Sequence, residues 1–165
     1  MDAVDQLAIL GRLALAAVLG GFLGLERELR GYPAGIRTIA LVTLGSALFT
    51  DVSQILGGDD RVAASIVTGI GFLGAAVVFR EGYTVRGITT AATIWSAAAI
   101  GMAIGRELYL VAVVGTLLIF IILEAKPVTG RIDEFIRRIG GELREEPHEA
   151  PSHNPGDGED QEGAP

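Results

Sequence analysis

Two stretches of the chain, Val62–Phe79 and Ile88–Gly105, each run for 18 residues without a charged side chain. A helix needs about 17–25 predominantly apolar residues to cross a hydrocarbon core roughly 30 Å thick. A soluble helix of that length carries a polar face, and neither stretch has a charged one. Three further blocks extend the pattern. Leu7–Leu25 is 19 residues with one charge, Arg12. Ile36–Leu56 is 21 residues with two, Arg37 and Asp51, and Leu108–Leu123 is 16 residues with none. The blocks predict an all-α membrane protein with five transmembrane helices over residues 7–123. Tyr109, at the outer end of the fifth block, suits an interfacial anchor. The first block does not read as a cleaved signal peptide. Asp2 and Asp5 stand where positive charge is expected, and the apolar stretch exceeds a normal signal core.

The loops orient these spans. With five spans, Arg27, Arg30, Arg37, Arg80, Arg86, Lys126, Arg131, Arg137, Arg138 and Arg144 fall on one side, and only Arg61 and Arg106 on the other. Basic loops stay in the cytoplasm. The expectation is therefore an N-terminus outside, a C-terminus in the cytoplasm, and a cell (inner or plasma) membrane location. A four-span arrangement would move Lys126 and the basic residues after it outward, against the rule.

Beyond Pro127 the pattern changes. Ile132, Phe135, Ile136, Ile139 and Leu143 share one helical face. Residues 128–144 read as an amphipathic juxtamembrane helix that lies on the inner leaflet or packs on the bundle. Residues 145–165 are Pro, Gly and acids without a large apolar side chain, and read as a disordered acidic tail. This resolves an odd pairing of mean hydropathy +0.46 with net charge −7. Residues 1–144 hold 13 basic and 13 acidic side chains, so the whole −7 lies in the tail.

Cysteine is absent, which excludes disulfides, thiolate metal sites and cysteine nucleophiles. The two histidines, His148 and His153, both lie in the tail. No nucleophile with a paired base is visible elsewhere. No catalytic residue, cofactor or nucleic-acid partner is expected, and a metal site is left open.

Gly69, Gly71 and Gly74 spell G-x-G-x-x-G. A dinucleotide site needs that motif between a strand and a solvent-facing helix start, whereas here it sits inside an uncharged apolar span. Small residues let membrane helices approach closely. These glycines, with Gly20 and Gly24 in the first span, are therefore read as packing positions. Gly101 and Gly105 repeat the spacing in an alanine-rich fourth span, which reads as the interior one. Trp95, near mid-span, is expected to pack inside the bundle.

Thr43, Ser46, Thr50, Asp51, Ser53 and Gln54 fall within one arc of roughly 160° on the second span. An ionisable group in a span normally faces the bundle or water and is a functional candidate. Arg12 and Asp51 each lie five residues inside their blocks, roughly 7–8 Å below the outer surface. The matched depth predicts that they pair; the alternative is that Arg12 reaches outward alone. Asp51 reads equally as a structural partner or as a site carboxylate. On the cytoplasmic side, Glu26, Arg27, Glu28, Arg37 and Thr38 in the first loop face Arg80, Glu81, Arg86, Thr89 and Thr90 around the second. Such mixed-sign clusters can form a network or bind an ion or a partner.

These residues also carry a resemblance. GGFLGLERE (Gly20–Glu28), AGIRT (Ala34–Thr38), Leu48–Phe49, RVAA (Arg61–Ala64), IVTGIGFLGA (Ile66–Ala75), FREG (Phe79–Gly82) and VRGITTAATIW (Val85–Trp95) together resemble the MgtC/SapB family of bacterial and archaeal membrane proteins. The likeness covers about residues 7–123. Departures are Ser65 where glutamine is common, Ala76 where glycine is common, and Arg106–Glu107 in place of a small Gly-containing turn. Longer members similar to this one carry a soluble C-terminal domain, so this chain is expected to be a short form without it. The resemblance implies a multi-pass protein linked to magnesium limitation and acid stress. It implies a regulator acting on membrane partners, including the proton-translocating ATP synthase, more than a transporter. Expected partners are the bilayer, such a complex and a second copy. The competing expectation is a Mg²⁺ or other cation transporter that uses Asp51 and the polar arc.

Overall fold

The fold was analysed in a computed structural model that describes residues 2–58, 60–81 and 84–125. The expected juxtamembrane helix at 128–144 and the tail at 145–165 lie outside the described residues. Five helices are present among those described: α1 (Ala3–Leu29), α2 (Ile36–Ile55), α3 (Asp60–Ala76), α4 (Ile88–Gly105) and α5 (Tyr109–Glu124). Between α3 and α4 the chain forms a short antiparallel hairpin, β1 (Phe79–Glu81) and β2 (Thr84–Arg86), with Phe79 opposite Arg86. The all-α expectation missed this hairpin because Arg80–Gly87 reads as a polar loop without strand-length alternation. α1, α2 and α4 are long and apolar enough to cross a membrane, and α5 is a shorter apolar helix.

The helix ends follow backbone chemistry. α1 stops at Arg30, where Gly31 takes φ +71 and the Gly31 and Tyr32 N–H groups donate to the Glu28 and Arg27 carbonyls. That is a left-handed C-terminal cap, which glycine adopts without a Cβ penalty. α4 ends with the same bond pattern, in which the Glu107 and Leu108 N–H groups reach the Ile104 and Ala103 carbonyls. The left-handed position there is Glu107, at φ 62, among the described residues the one non-glycine with positive φ.

α2 and α4 form the centre, with α1 across α2, α3 beside α4, and α5 against α4 and α1. The close crossings are made by glycine. A Cβ at Gly20 would stand 2.5 Å from Thr43 Oγ1, and one at Gly24 would stand 2.6 Å from Ile36 Cα. A Cβ at Gly101 would strike the Thr43 carbonyl oxygen, and one at Gly105 would lie 2.7 Å from Thr50 Cβ. α2 is thus clasped between two glycine-bearing helices. Two buried clusters fill the bundle, one around Ala16, Ala47 and Ile104, the other around Leu23, Ile39 and Ile94.

Two packing expectations need correction. Trp95 is 52% exposed, because α4 turns its small-residue face (Thr90, Thr93, Ala97, Gly101) inward and leaves the indole outside. At Gly69 and Gly71 there is open space instead; an added Cβ at either would meet no atom within 4 Å among the described residues. α3 buries only Ile66 and Gly74, and the Gly74 position lies against Ala91 at 3.6 Å.

Candidate functional site

The polar residues gather at the two ends of the bundle. At the end where α2 and α4 finish, the Arg12 guanidinium of α1 lies between two carboxylates. Its Nε is 2.8 Å from Asp51 Oδ1 and its Nη1 donates to Glu107 Oε1 at 2.8 Å. The Arg12–Asp51 contact is an ion pair of close charges. The Asp51 side chain is 3% exposed and its Oδ2 has no hydrogen-bond partner among the described residues. Tyr109 stands against the same guanidinium. With its amide oriented to suit both groups, Gln54 accepts from the Arg106 guanidinium beside this cluster. Arg12 therefore joins α1 to α2 and to the turn between α4 and α5.

The polar arc of α2 is closed off. Thr43, Ser46, Thr50, Asp51 and Ser53 are buried, while Gln54 is exposed. The Thr43 and Thr50 hydroxyls donate back to the Ile39 and Ser46 carbonyls of their own helix, at 2.9 and 2.8 Å. Such back-bonding satisfies a hydroxyl locally. It lets this face pack against Gly20, Gly101 and Gly105 rather than line an open channel in this chain.

The other end holds the sequence-predicted cytoplasmic cluster, which the fold divides into separate contacts. Arg27 is fully enclosed; its Nη2 donates to Thr90 Oγ1 at 2.6 Å and its guanidinium covers the Tyr32 ring at 3.7 Å. Glu28 turns back to the start of α2, where its Oε2 accepts the Ile36 N–H at 2.9 Å. A carboxylate at a helix N-terminus both caps it and opposes its dipole. Glu26 is buried with Oε1 2.9 Å from Arg30 Nε, and Arg30 Nη2 donates to Glu124 Oε2 at 2.5 Å. Arg37, Thr38 and Thr89 are exposed; Arg80 and Arg86 are exposed on the hairpin strands. The Glu81 side chain lies outside the described residues, although its backbone belongs to β1. One continuous network of all ten residues is therefore not what the described contacts form.

Sequence reading missed two partners. Glu107 and Glu124 both sit at helix C-terminal ends, where an acid is electrostatically unfavourable without a cation. That position is the signal that each has an arginine beside it. Among the described residues, no three His, Cys, Asp or Glu side chains stand together so as to hold a metal ion.

The MgtC family model matches residues 13–132. The chain belongs to the MgtC family. It is similar to Protein MgtC of Brucella abortus (strain 2308), at 50% identity over 110 residues, covering 65% of this chain and 46% of that protein. It is also similar to Protein MgtC of Salmonella typhimurium (strain 14028s), at 48% identity over 109 residues, covering 65% of this chain and 47% of that protein. A third relative, "Putative magnesium transporter YhiD" of Escherichia coli (strain K12), is 43% identical over 124 residues, covering 68% of this chain and 58% of that protein. The chain thus spans about half the length of the curated relatives it matches. No solved structure matches it. Family membership and helices long and apolar enough to cross a membrane together make this a membrane protein. The family match takes in Asp51 and the whole Glu26–Thr90 cluster, and begins one residue after Arg12.

Proposed function

We propose that this MgtC-family protein is a five-span protein of the cell (inner or plasma) membrane, N-terminus outside and C-terminus in the cytoplasm. It acts in magnesium and acid-stress related ion homeostasis by regulating or binding another membrane protein. On this reading it catalyses no reaction. Its partners are the bilayer, a membrane complex such as the proton-translocating ATP synthase, and a second copy of itself. One observation carries the regulatory reading. The α2 polar face is packed into the glycines of α1 and α4, and its one carboxylate, Asp51, is held by Arg12. A conduit needs polar groups that exchange water or ligand for the ion; the Thr43 and Thr50 hydroxyls are bonded within their own helix.

A second reading rests on a different observation. A relative 43% identical over 124 residues bears a transporter name, and Mg²⁺, which keeps several waters, can be bound through one or two carboxylates. Purified full-length chain in liposomes containing a Mg²⁺ dye separates the two. Absence of flux, with retention of a membrane complex on purification from native membranes, supports the regulator. Mg²⁺ entry that disappears in Asp51→Asn overturns it.

A further inference from the structure

α3 stands as a ridge on the bundle. It buries only Ile66 and Gly74. Its outer face carries Thr68 and Phe72, one turn apart, both exposed and Phe72 at 77%. Beside this ridge a groove of about 560 Å³ runs between α3 and α2. Leu41, Gly45 and Phe49 of α2 form one wall, and Ser65, Gly69 and Leu73 of α3 form the other. The groove is wide because a glycine sits midway along each wall. An added Cβ at Gly45 or Gly69 would meet no atom within 4 Å among the described residues.

Two hydroxyls mark this surface. Ser46 lies on the groove floor and is 2% exposed. The Thr43 and Thr50 hydroxyls of the same helix donate back to its own carbonyls, whereas Ser46 Oγ has no hydrogen bond among the described residues. The little of Ser46 that is exposed opens into the groove, and its Oγ is not sealed off as the unpaired oxygens of Glu26 and Asp51 are. Thr68 stands on the crest of the ridge, its hydroxyl donating to the Ala64 carbonyl at 3.0 Å. A hydroxyl that donates keeps lone pairs with which to accept. The two residues also share a depth. Ser46 is nine residues before the end of α2 at Ile55, and Thr68 is eight after the start of α3 at Asp60. At about 1.5 Å per residue, both lie roughly 12–14 Å down their helices from the same turn. Gly45 and Phe72, at roughly 15 and 18 Å, are close in depth as well.

A ridge and a groove side by side are complementary to the same surface turned by 180° about an axis between them. With that axis along the bundle, both copies keep one orientation in the membrane, and residues of equal depth meet. We propose that a second copy of this chain occupies the groove, so that α3 of each copy lies in the α2–α3 groove of the other. Phe72 then enters beside the partner's Gly45, and Ser46 Oγ donates to Thr68 Oγ1 of the partner subunit. A lipid acyl chain also suits an apolar groove, but it offers Ser46 no acceptor, and a hydroxyl without a partner in hydrocarbon is unfavourable. A second copy fills the groove, covers the ridge and pairs both hydroxyls in one contact made twice. The inference rests on the five-span reading, in which α3 crosses the bilayer, and it assigns a surface to the second copy named there.

Cross-linking in native membranes tests it, because the natural chain has no cysteine. Two differently tagged full-length chains are co-expressed, one Thr68→Cys and the other Ser46→Cys, and oxidised. A disulfide-linked species carrying both tags is expected. The control pairs Thr68→Cys with Val18→Cys, 66% exposed on α1, and should give none. Wild type in lipid nanodiscs should have twice the 17.2 kDa mass of one chain. Gly45→Leu fills the groove where the chain itself leaves room, and should be monomeric with unchanged helical circular dichroism. Ser46→Ala and Thr68→Val should each weaken association by about three- to tenfold, and the double variant by no more than either alone. A monomeric wild type, equal linkage to Val18→Cys, or a dimer that survives Gly45→Leu overturns the proposal. Losses that multiply in the double variant show that the hydroxyls do not pair, and overturn the register. A species of double mass without the Ser46–Thr68 link overturns this surface and leaves a second copy as partner. Neither Mg²⁺ flux nor complex retention enters these readouts, so the regulatory reading can fail without touching them.

Discussion

Arg12 of α1 and Asp51 of α2 meet at 2.8 Å, with side chains 13% and 3% exposed. Breaking a buried ion pair by removing one partner destabilises by about 3–5 kcal/mol, because the remaining charge is left uncompensated. Asp51→Arg and Arg12→Asp should each lose most folded protein in detergent, read by thermal unfolding. The double reversal should recover more than half of the loss. A double variant no better than the worse single one would show that the contact is incidental.

Glu107 offers a finer separation of terms. Its left-handed backbone is strained by about 1–2 kcal/mol, while its carboxylate, 66% exposed, holds Arg12. An exposed pair contributes about 0–1 kcal/mol. Glu107→Gly relieves the strain and loses the pair, so its melting temperature should rise slightly or stay level. Glu107→Ala loses the pair and keeps the strain, and should melt lower than both. Equal melting of the Gly and Ala variants would refute the account.

The glycines divide into two classes with opposite expected signs. Gly101→Ala places a methyl on the α2 backbone at Thr43 and should be destabilising by about 1–3 kcal/mol or more. Gly69→Ala and Gly71→Ala meet open space and gain helix propensity, up to about 1 kcal/mol each. Melting curves of the purified protein decide between them.

Thr90 tests the enclosed Arg27. Thr90→Val keeps the shape and deletes the acceptor 2.6 Å from Arg27 Nη2. A hydrogen bond to a charged group contributes about 1.5–3 kcal/mol, so Val should be destabilising by that order and Ser should retain most of wild-type stability. Indistinguishable Val and Ser variants would mean that Arg27 is held by Tyr32 and packing alone.

The proposed topology has a direct assay, because the chain contains no cysteine. Single cysteines at exposed Arg106 and Arg37 should differ toward a membrane-impermeant maleimide. Arg106→Cys should react in intact cells, and Arg37→Cys only after the membrane is opened. The reverse pattern would invert the orientation.

Much of the fold was legible because a membrane demands long apolar helices, and these are written in consecutive residues. The depth of Arg12 and Asp51 could be counted along two blocks, and their contact followed from it. The hairpin at Phe79–Arg86 was not legible, since three-residue strands carry too little alternation to register. Trp95 was misplaced because hydropathy specifies how deep a residue sits in a span and not which way it faces.

The sequence by itself therefore determined that the chain forms long apolar helices, where α2 and α4 end to within a residue, and where the charges concentrate, whereas α1 runs four residues past its apolar block. Those are properties of consecutive residues: length and the cost of burying charge. Only the tertiary structure decided which glycines are contacts, with Gly20, Gly24, Gly101 and Gly105 against α2 and open space beside Gly69 and Gly71 among the described residues. It alone brought Glu124 to Arg30 and Glu107 to Arg12, across 94 and 95 positions of chain. A glycine looks the same in every span until another backbone arrives beside it, and a charge has no partner until the helices that carry both have packed.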